Sequence, residues 1–203
     1  SAVSDIEFDN GDFRIVGTDR VVPFRSVAEN AAGENSVAFD EKETFAPEEA
    51  TYPNGTHVCE LEIDMATGEI ELVDYTVVDD FGRVINPLLL EGQVHGGIAQ
   101  GLGQAILESC QYESGSGQLL SASFMDYTMP RADDFPAIRF KRNEVPCETN
   151  PLGIKGAGEA GAIGAPPAIV NAIVNALSDH GIRHVDMPVS PNKVWNILQN
   201  VSA

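Results

Sequence analysis

Lys155-Gly156-Ala157-Gly158-Glu159-Ala160-Gly161-Ala162-Ile163-Gly164-Ala165-Pro166-Pro167 runs straight into an apolar stretch, residues 168–178. In that stretch Ile169, Val170, Ala172, Ile173, Val174, Ala176 and Leu177 are interrupted only by Asn171 and Asn175. A segment so uniformly apolar is expected to be a buried helix. Prolines favour the first helical positions, so the helix is expected to begin after Pro166 and Pro167. The loop ahead of it carries one carboxylate, Glu159, among residues with almost no side-chain surface. Such a carboxylate is expected to be poorly solvated, to hold its proton to higher pH than usual and so to suit a base. A helix N-terminus favours negative charge, and the glycines let a flat ligand or a phosphate approach the backbone N–H groups.

Gly156-Ala157-Gly158-Glu159-Ala160-Gly161 also satisfies GxGxxG, with Asp179 at a distance suited to a ribose contact. The dinucleotide fingerprint needs a clear strand before its first glycine and a helix starting at the loop. Residues 150–155 offer only a fragment of a strand, and the prolines place the helix later. A dinucleotide-binding domain therefore stands as the weaker reading. No GxxxxGK[ST], HExxH or GxSxG motif occurs.

Working back along the chain, residues 91–108 read as a helix whose faces differ in chemistry. Val94, Ile98, Leu102, Ala105 and Ile106 share an apolar face expected to meet the core. Gly92, Gly96, Ala99 and Gly103 form a small-residue stripe, and Gln93, Gln100 and Gln104 fall on a third face with Gly97. Each glycine in a helix costs about 1 kcal/mol relative to alanine, so a compensating contact is expected. Close packing of another backbone is one explanation. Approach of a ligand, with Gln93 or Gln100 donating amide hydrogen bonds, is the other.

Elsewhere, Asn10-Gly11-Asp12 between two short apolar segments reads as a β-hairpin, and residues 26–50 as one short helix plus loop. His57, Cys59, Leu61 and Ile63 alternate with Val58, Glu60, Glu62 and Asp64, the period of a half-buried strand. Residues 70–78 return as a second strand. Further strands are expected over residues 119–127 and 138–145. A short final helix opens at Ser190-Pro191, with Trp195 expected in the core. Two segments follow: residues 1–50, a peripheral hairpin and loop, and residues 51–203, which carry the motifs.

Composition narrows the function classes. The formal net charge is −19, from 12 Lys+Arg against 31 Asp+Glu, which disfavours nucleic acid and anionic membranes as partners. Cys59, Cys110 and Cys147 are odd in number and widely spaced, so neither a disulfide framework nor a zinc or iron–sulfur site is expected. A cytoplasmic location fits best. No apolar run approaches a membrane span and no signal peptide opens the chain. A start at Ser1, with motifs crowded into the second half, suggests part of a longer protein.

Six ordered blocks carry a family resemblance: Val84-Ile85-Asn86-Pro87, residues 91–101, Ser123-Phe124-Met125-Asp126-Tyr127, Pro130-Arg131-Ala132-Asp133, residues 149–159 and Ala165-Pro166-Pro167-Ala168. Together they resemble the carboxy-terminal part of the molybdenum hydroxylase large subunit. This is the family of xanthine dehydrogenase and aldehyde oxidoreductase, and the wording is closest to the aerobic carbon monoxide dehydrogenase type. The resemblance runs from about residue 50 to the end.

The resemblance implies an α+β fold, a mixed sheet with packed helices forming part of the molybdenum-cofactor-binding domain. It implies Glu159 as the catalytic base for oxidative hydroxylation of a small substrate with water as oxygen source. Gln93 would contact the pterin. Lys155, Gly156, Ala157 and Gly158 would lie along the cofactor with backbone groups as donors. The cofactor would be molybdopterin cytosine dinucleotide with molybdenum. The partners would be the remainder of the large subunit, an FAD-binding medium subunit and a 2Fe-2S small subunit. This chain alone is expected to be inactive, because the rest of the pocket belongs to the absent portion. The competing reading is a non-catalytic structural or assembly module of the same fold, in which Glu159 is a loop residue.

Overall fold

Asn10 and Gly11, with φ of 48° and 87°, place two left-handed residues in succession, the backbone that joins twisted strands without splaying them. They link β1 (Ile6–Asp9) to β2 (Asp12–Ile15), and β3 (Val21–Pro23) completes an antiparallel three-stranded sheet. Helix α1 (Phe24–Glu34) follows. These elements form one unit, Ser1–Ala46; Pro47–Ala203 forms a second. The structure, a computed structural model, describes residues 1–34, 42–47 and 49–201. Part of the loop expected within residues 26–50 lies outside the described residues.

In the second unit, β4 (Asn54–Ile63) pairs antiparallel with β5 (Ile70–Asp80), and β5 pairs in parallel with β6 (Ile138–Arg142). The alternation read from the sequence is the one observed, with His57, Cys59, Leu61 and Ile63 turned inward. Because β5 is the central strand, its Leu72, Tyr75, Val77 and Asp79 are buried. A mixed sheet with helices packed on it is the α+β architecture implied by the resemblance.

Helix α2 (Pro87–Leu102) starts where Asn86 Oδ1 accepts from the Leu89 amide at 3.1 Å, with Pro87 at the first helical position. It runs on as a π-helical turn, Gly103–Leu107. All five residues of the expected apolar face are buried. They meet Ile169 and Ile173 of α3 (Ala160–Ala176) in a single core cluster. Helix α4 (Pro191–Val201) contributes Val194 and Leu198 to that core, while Trp195 stays 41% exposed.

Three expectations need correction. Trp195 is not in the core, because the inward positions of α4 are Val194 and Leu198. Helix α3 begins at Ala160, so Pro166 and Pro167 lie inside it. They cost the carbonyls of Ala162 and Ile163 their helical donors. Packing offsets the loss: α2 and α3 approach through Gly97, Gly101 and Gly161, and a Cβ on Gly161 would lie 2.5 Å from the Val94 carbonyl oxygen. The strand expected over residues 119–127 is absent apart from one bridge, Tyr112 to Leu119. Ser123 there donates to Asp126 Oδ2 at 2.9 Å and its carbonyl accepts from the Asp126 and Tyr127 amides. These local bonds compete with a strand ladder.

Candidate functional site

The start of α3 is built from backbone that satisfies some donors and leaves others open. Gly153, at φ +69°, turns the chain, and Asn150 clamps the turn through hydrogen bonds with both the amide and carbonyl of Ile154. Ile154 makes only an isolated bridge to Gly82, so no strand leads into Gly156 and the dinucleotide fingerprint lacks its first element. The Lys155 amide donates to the Phe81 carbonyl at 2.8 Å and the Gly156 amide to Thr51 Oγ1 at 3.3 Å. Beyond them, the amides of Ala157 and Gly158 make no hydrogen bond among the described residues. Ala160, Gly161 and Ala162 add the unpaired donors of a helix N-terminus.

The side chain of Lys155 is committed elsewhere. Its Nζ lies 2.6 Å from Asp80 Oδ2, with both side chains largely buried. Asp80 Oδ1 also accepts from the amides of Gly82 at 2.8 Å and Val145 at 3.1 Å. Burial alone would push the Asp80 carboxyl up, but the Lys155 ammonium and these two amides outweigh it and hold it below the ordinary carboxylate range. Lys155 therefore ties the loop to the end of β5 and does not reach into the cleft.

Glu159 is the residue immediately before α3. Its carbonyl accepts from the Ile163 amide at 2.9 Å, while its carboxylate caps nothing. The side chain is exposed, which corrects the expectation of a poorly solvated carboxylate: small neighbours leave room for water instead of excluding it. Two clefts meet at this residue. One, of about 410 Å³, runs from Glu159 and Gly158 across Gly164 to His57 and Asp79. The other, of about 400 Å³, runs from Glu159 and Gly158 to Gln93, Gly96, Gly97 and Gln100 of α2. The sequence-derived residues Glu159, Gly158 and Gln93 are thus brought together, with a Cβ on Gly158 falling 3.9 Å from Gln93 Nε2. The Gln93 side chain is exposed and makes no hydrogen bond among the described residues.

The glycines of α2 divide differently from the expected stripe. Gly97 and Gly101 pack on α3, whereas Gly92 and Gly96 face open space, with nothing within 4 Å of a Cβ placed there. Gly97 was expected on the glutamine face, and it sits between that face and α3. Close packing therefore accounts for Gly97 and Gly101, while Gly96 borders the cleft that Gln93 and Gln100 line.

Residues not singled out in the sequence also line the first cleft. His57 Nδ1 and the Tyr75 hydroxyl share a hydrogen bond of 2.7 Å, and His57 Nε2 lies 3.6 Å from Asp79 Oδ1. Asp79 is 3% exposed, and its Oδ2 has no hydrogen-bond partner among the described residues. The inward period-two positions of β4 and β5 carried a signal, since a histidine and an aspartate occupied places that an ordinary core fills with apolar side chains.

The donor set suits a flat ligand rich in acceptors. Free amides at Ala157 and Gly158, the helix N-terminus, an unengaged glutamine amide and the open face at Gly96 leave polar groups and space on one side. Comparison with known proteins identifies the family. The chain is 35% identical over 155 residues to the carbon monoxide dehydrogenase large chain of Hydrogenophaga pseudoflava, covering 76% of this chain and 19% of that one. It is 38% identical over 150 residues to the nicotine 6-hydroxylase large subunit of Paenarthrobacter nicotinovorans, covering 74% of this chain and 18% of that one. Its structure superposes on quinoline 2-oxidoreductase from Pseudomonas putida 86 with a TM-score of 0.83 at 33% identity, over 98% of this chain and 26% of that one. The chain thus spans about a fifth to a quarter of the length of these relatives. Residues 1–136 match the family described as the molybdopterin cofactor-binding domain, and the chain belongs to that family.

Proposed function

We propose that this chain is the carboxy-terminal part of a molybdenum hydroxylase large subunit of the carbon monoxide dehydrogenase type, supplying the catalytic base and one face of the cofactor site. The observation that supports it most is the placement of Glu159. An unengaged carboxylate stands where two clefts meet, flanked by unpaired amides on one side and Gln93 on the other. Ala157 and Gly158 present backbone donors to the cofactor, Gln93 offers its side-chain amide to the pterin edge, and Gly156 and Lys155 hold the loop in place. When bound, the molybdenum cofactor supplies the two-electron redox chemistry. Glu159 takes the proton released in hydroxylation. Covering of this face by the rest of the subunit removes water from around it, which strengthens its action as a base.

The molybdopterin cytosine dinucleotide form suits the α3 N-terminus, whose dipole and free N–H groups favour an anion. The larger groove elsewhere on the unit, about 840 Å³, is lined by Glu62, Asp64, Glu69, Glu71, Asp133 and Asp134, and would repel one. FAD and 2Fe-2S centres reside in partner subunits of a cytoplasmic complex in this reading. The substrate class is carbon monoxide, an N-heterocycle, a purine or an aldehyde.

Cofactor loading tests the assignment. In the complete complex, Gln93→Leu and Gly158→Val are expected to lower molybdenum per complex several-fold, while Gly92→Ala, outside both clefts, leaves it unchanged. Full molybdenum content in both cleft variants would remove the cofactor site from this face.

A further inference from the structure

Gly164 lies on α3 one turn beyond Glu159, and a Cβ placed there would fall 2.5 Å from His57 Cδ2 and Nε2. The imidazole is therefore packed on the helix backbone itself. Gly55 stands in the same relation to Asp79, with a Cβ there falling 1.8 Å from Oδ1. Two glycines are thus required by two buried side chains that face each other between the sheet and α3. His57 and Asp79 side chains are only 8% and 4% exposed.

The ring is held from behind. Tyr75 on β5 is fully buried and its hydroxyl meets His57 Nδ1 at 2.7 Å. Burial, with Cys59 and Asp79 nearby, raises the phenol pKa well above its ordinary value, so the hydroxyl keeps its proton. Nδ1 being occupied, Nε2 is left facing Asp79. Mechanical continuity then runs from the central strand through Tyr75 and His57 to Gly164. Next to Gly164, the Ile163 amide closes the first helical hydrogen bond, on the Glu159 carbonyl.

This stretch of α3 has few bonds of its own. Pro166 and Pro167 donate none, and no side chain caps the helix start. Its first turns consequently depend on outside contacts to a degree that an ordinary helix does not. On the α2 side those contacts are Gly97 and Gly101; on the sheet side the ring of His57 supplies one.

We propose that His57, seated by Tyr75 and Asp79, is a positioning residue that fixes the first turns of α3 and thereby the place of Glu159. The role of Glu159 itself rests on the reading above; the mechanical claim does not.

Hydrogen exchange on the 203-residue chain tests it residue by residue. His57→Ala is expected to speed exchange of the Ile163, Gly164 and Ala165 amides at least about tenfold, with little change at Val194 and Leu198 in α4, because the loosened segment opens locally. Tyr75→Phe keeps both rings and removes one hydroxyl, so a smaller acceleration confined to the same amides is expected, and it serves if His57→Ala fails to fold. In the complete complex, His57→Ala should lower kcat about tenfold or more with KM and molybdenum content retained, a split that general destabilisation does not produce. Unchanged exchange at the three amides, or acceleration spread evenly over α3 and α4, overturns the proposal. Local acceleration together with a fully active Glu159→Gln enzyme would leave His57 as the anchor of α3 and remove only the base.

Discussion

Replacing Gly161 by alanine should destabilise the chain, although alanine is the better helix former. A Cβ at Gly161 would lie 2.5 Å from the Val94 oxygen, 2.7 Å from the Ile98 nitrogen and 2.9 Å from the Gly97 carbonyl carbon. All three are backbone atoms of α2, so no side chain can swing aside. Restoring an ordinary contact of 3.4 Å requires the helices to part by about 0.9 Å. Overpacking of this kind costs about 1–3 kcal/mol, against a propensity gain of at most about 1 kcal/mol. Three rigid backbone contacts put this variant in the upper part of that range, about 2–3 kcal/mol, so the net expectation is a loss of about 1–2 kcal/mol. Gly96→Ala provides the contrast: the same propensity gain applies, and nothing lies within 4 Å, so that variant should be stabilised by up to about 1 kcal/mol. Urea titration followed by the fluorescence of Trp195, the single tryptophan, reads both. With an m-value of about 2 kcal/mol/M, Gly161→Ala should drop the midpoint by roughly 0.5–1 M and Gly96→Ala should raise it. A neutral Gly161→Ala, or a destabilised Gly96→Ala, would refute the packing of α2 on α3 described here.

Three further outcomes follow from the site. Lys155→Met strands the buried Asp80 carboxylate and should cost about 3–5 kcal/mol, measured by the same titration, whereas Lys155 as a solvent-facing cofactor ligand would cost far less. Asp80 sits below its ordinary value of 3.8. Its contribution is therefore complete above that pH and is lost as pH falls through the depressed folded value; an acid titration of Asp80→Asn should lack that loss. Gly164→Ala should disturb the His57 ring, and it should accelerate exchange at the start of α3 as His57→Ala does.

Legibility in the sequence varied with the range of the interaction. The inward face of β4 and the apolar face of α2 depend on local periodicity, and both were readable. The sequence places the start of α3 too late because the Pro166-Pro167 signal is local, while the interhelical contacts at Gly97 and Gly161 that override it are not. The strand expected over residues 119–127 fails for the opposite reason, since Ser123 and Asp126 capture the backbone locally. The motif blocks mark Gln93, Gly158 and Glu159, which the fold brings together at one cleft. They mark Lys155 too, but its ion pair with Asp80 joins positions 75 residues apart. Nothing local marks the facing of His57 on Asp79. It depends on the register that pairs Gly55 with Asp79 and His57 with Val77 across the two strands.

The central claim is that Glu159 is the base of a molybdenum hydroxylase, and Glu159→Gln in the complete complex tests it most directly. The substitution keeps the side-chain shape and removes the proton acceptor. Turnover of whichever class the wild-type complex oxidises, carbon monoxide, N-heterocycle, purine or aldehyde, should fall at least about a hundredfold with molybdenum content nearly intact. A Glu159→Gln complex that is fully loaded and turns over at the wild-type rate would contradict the account.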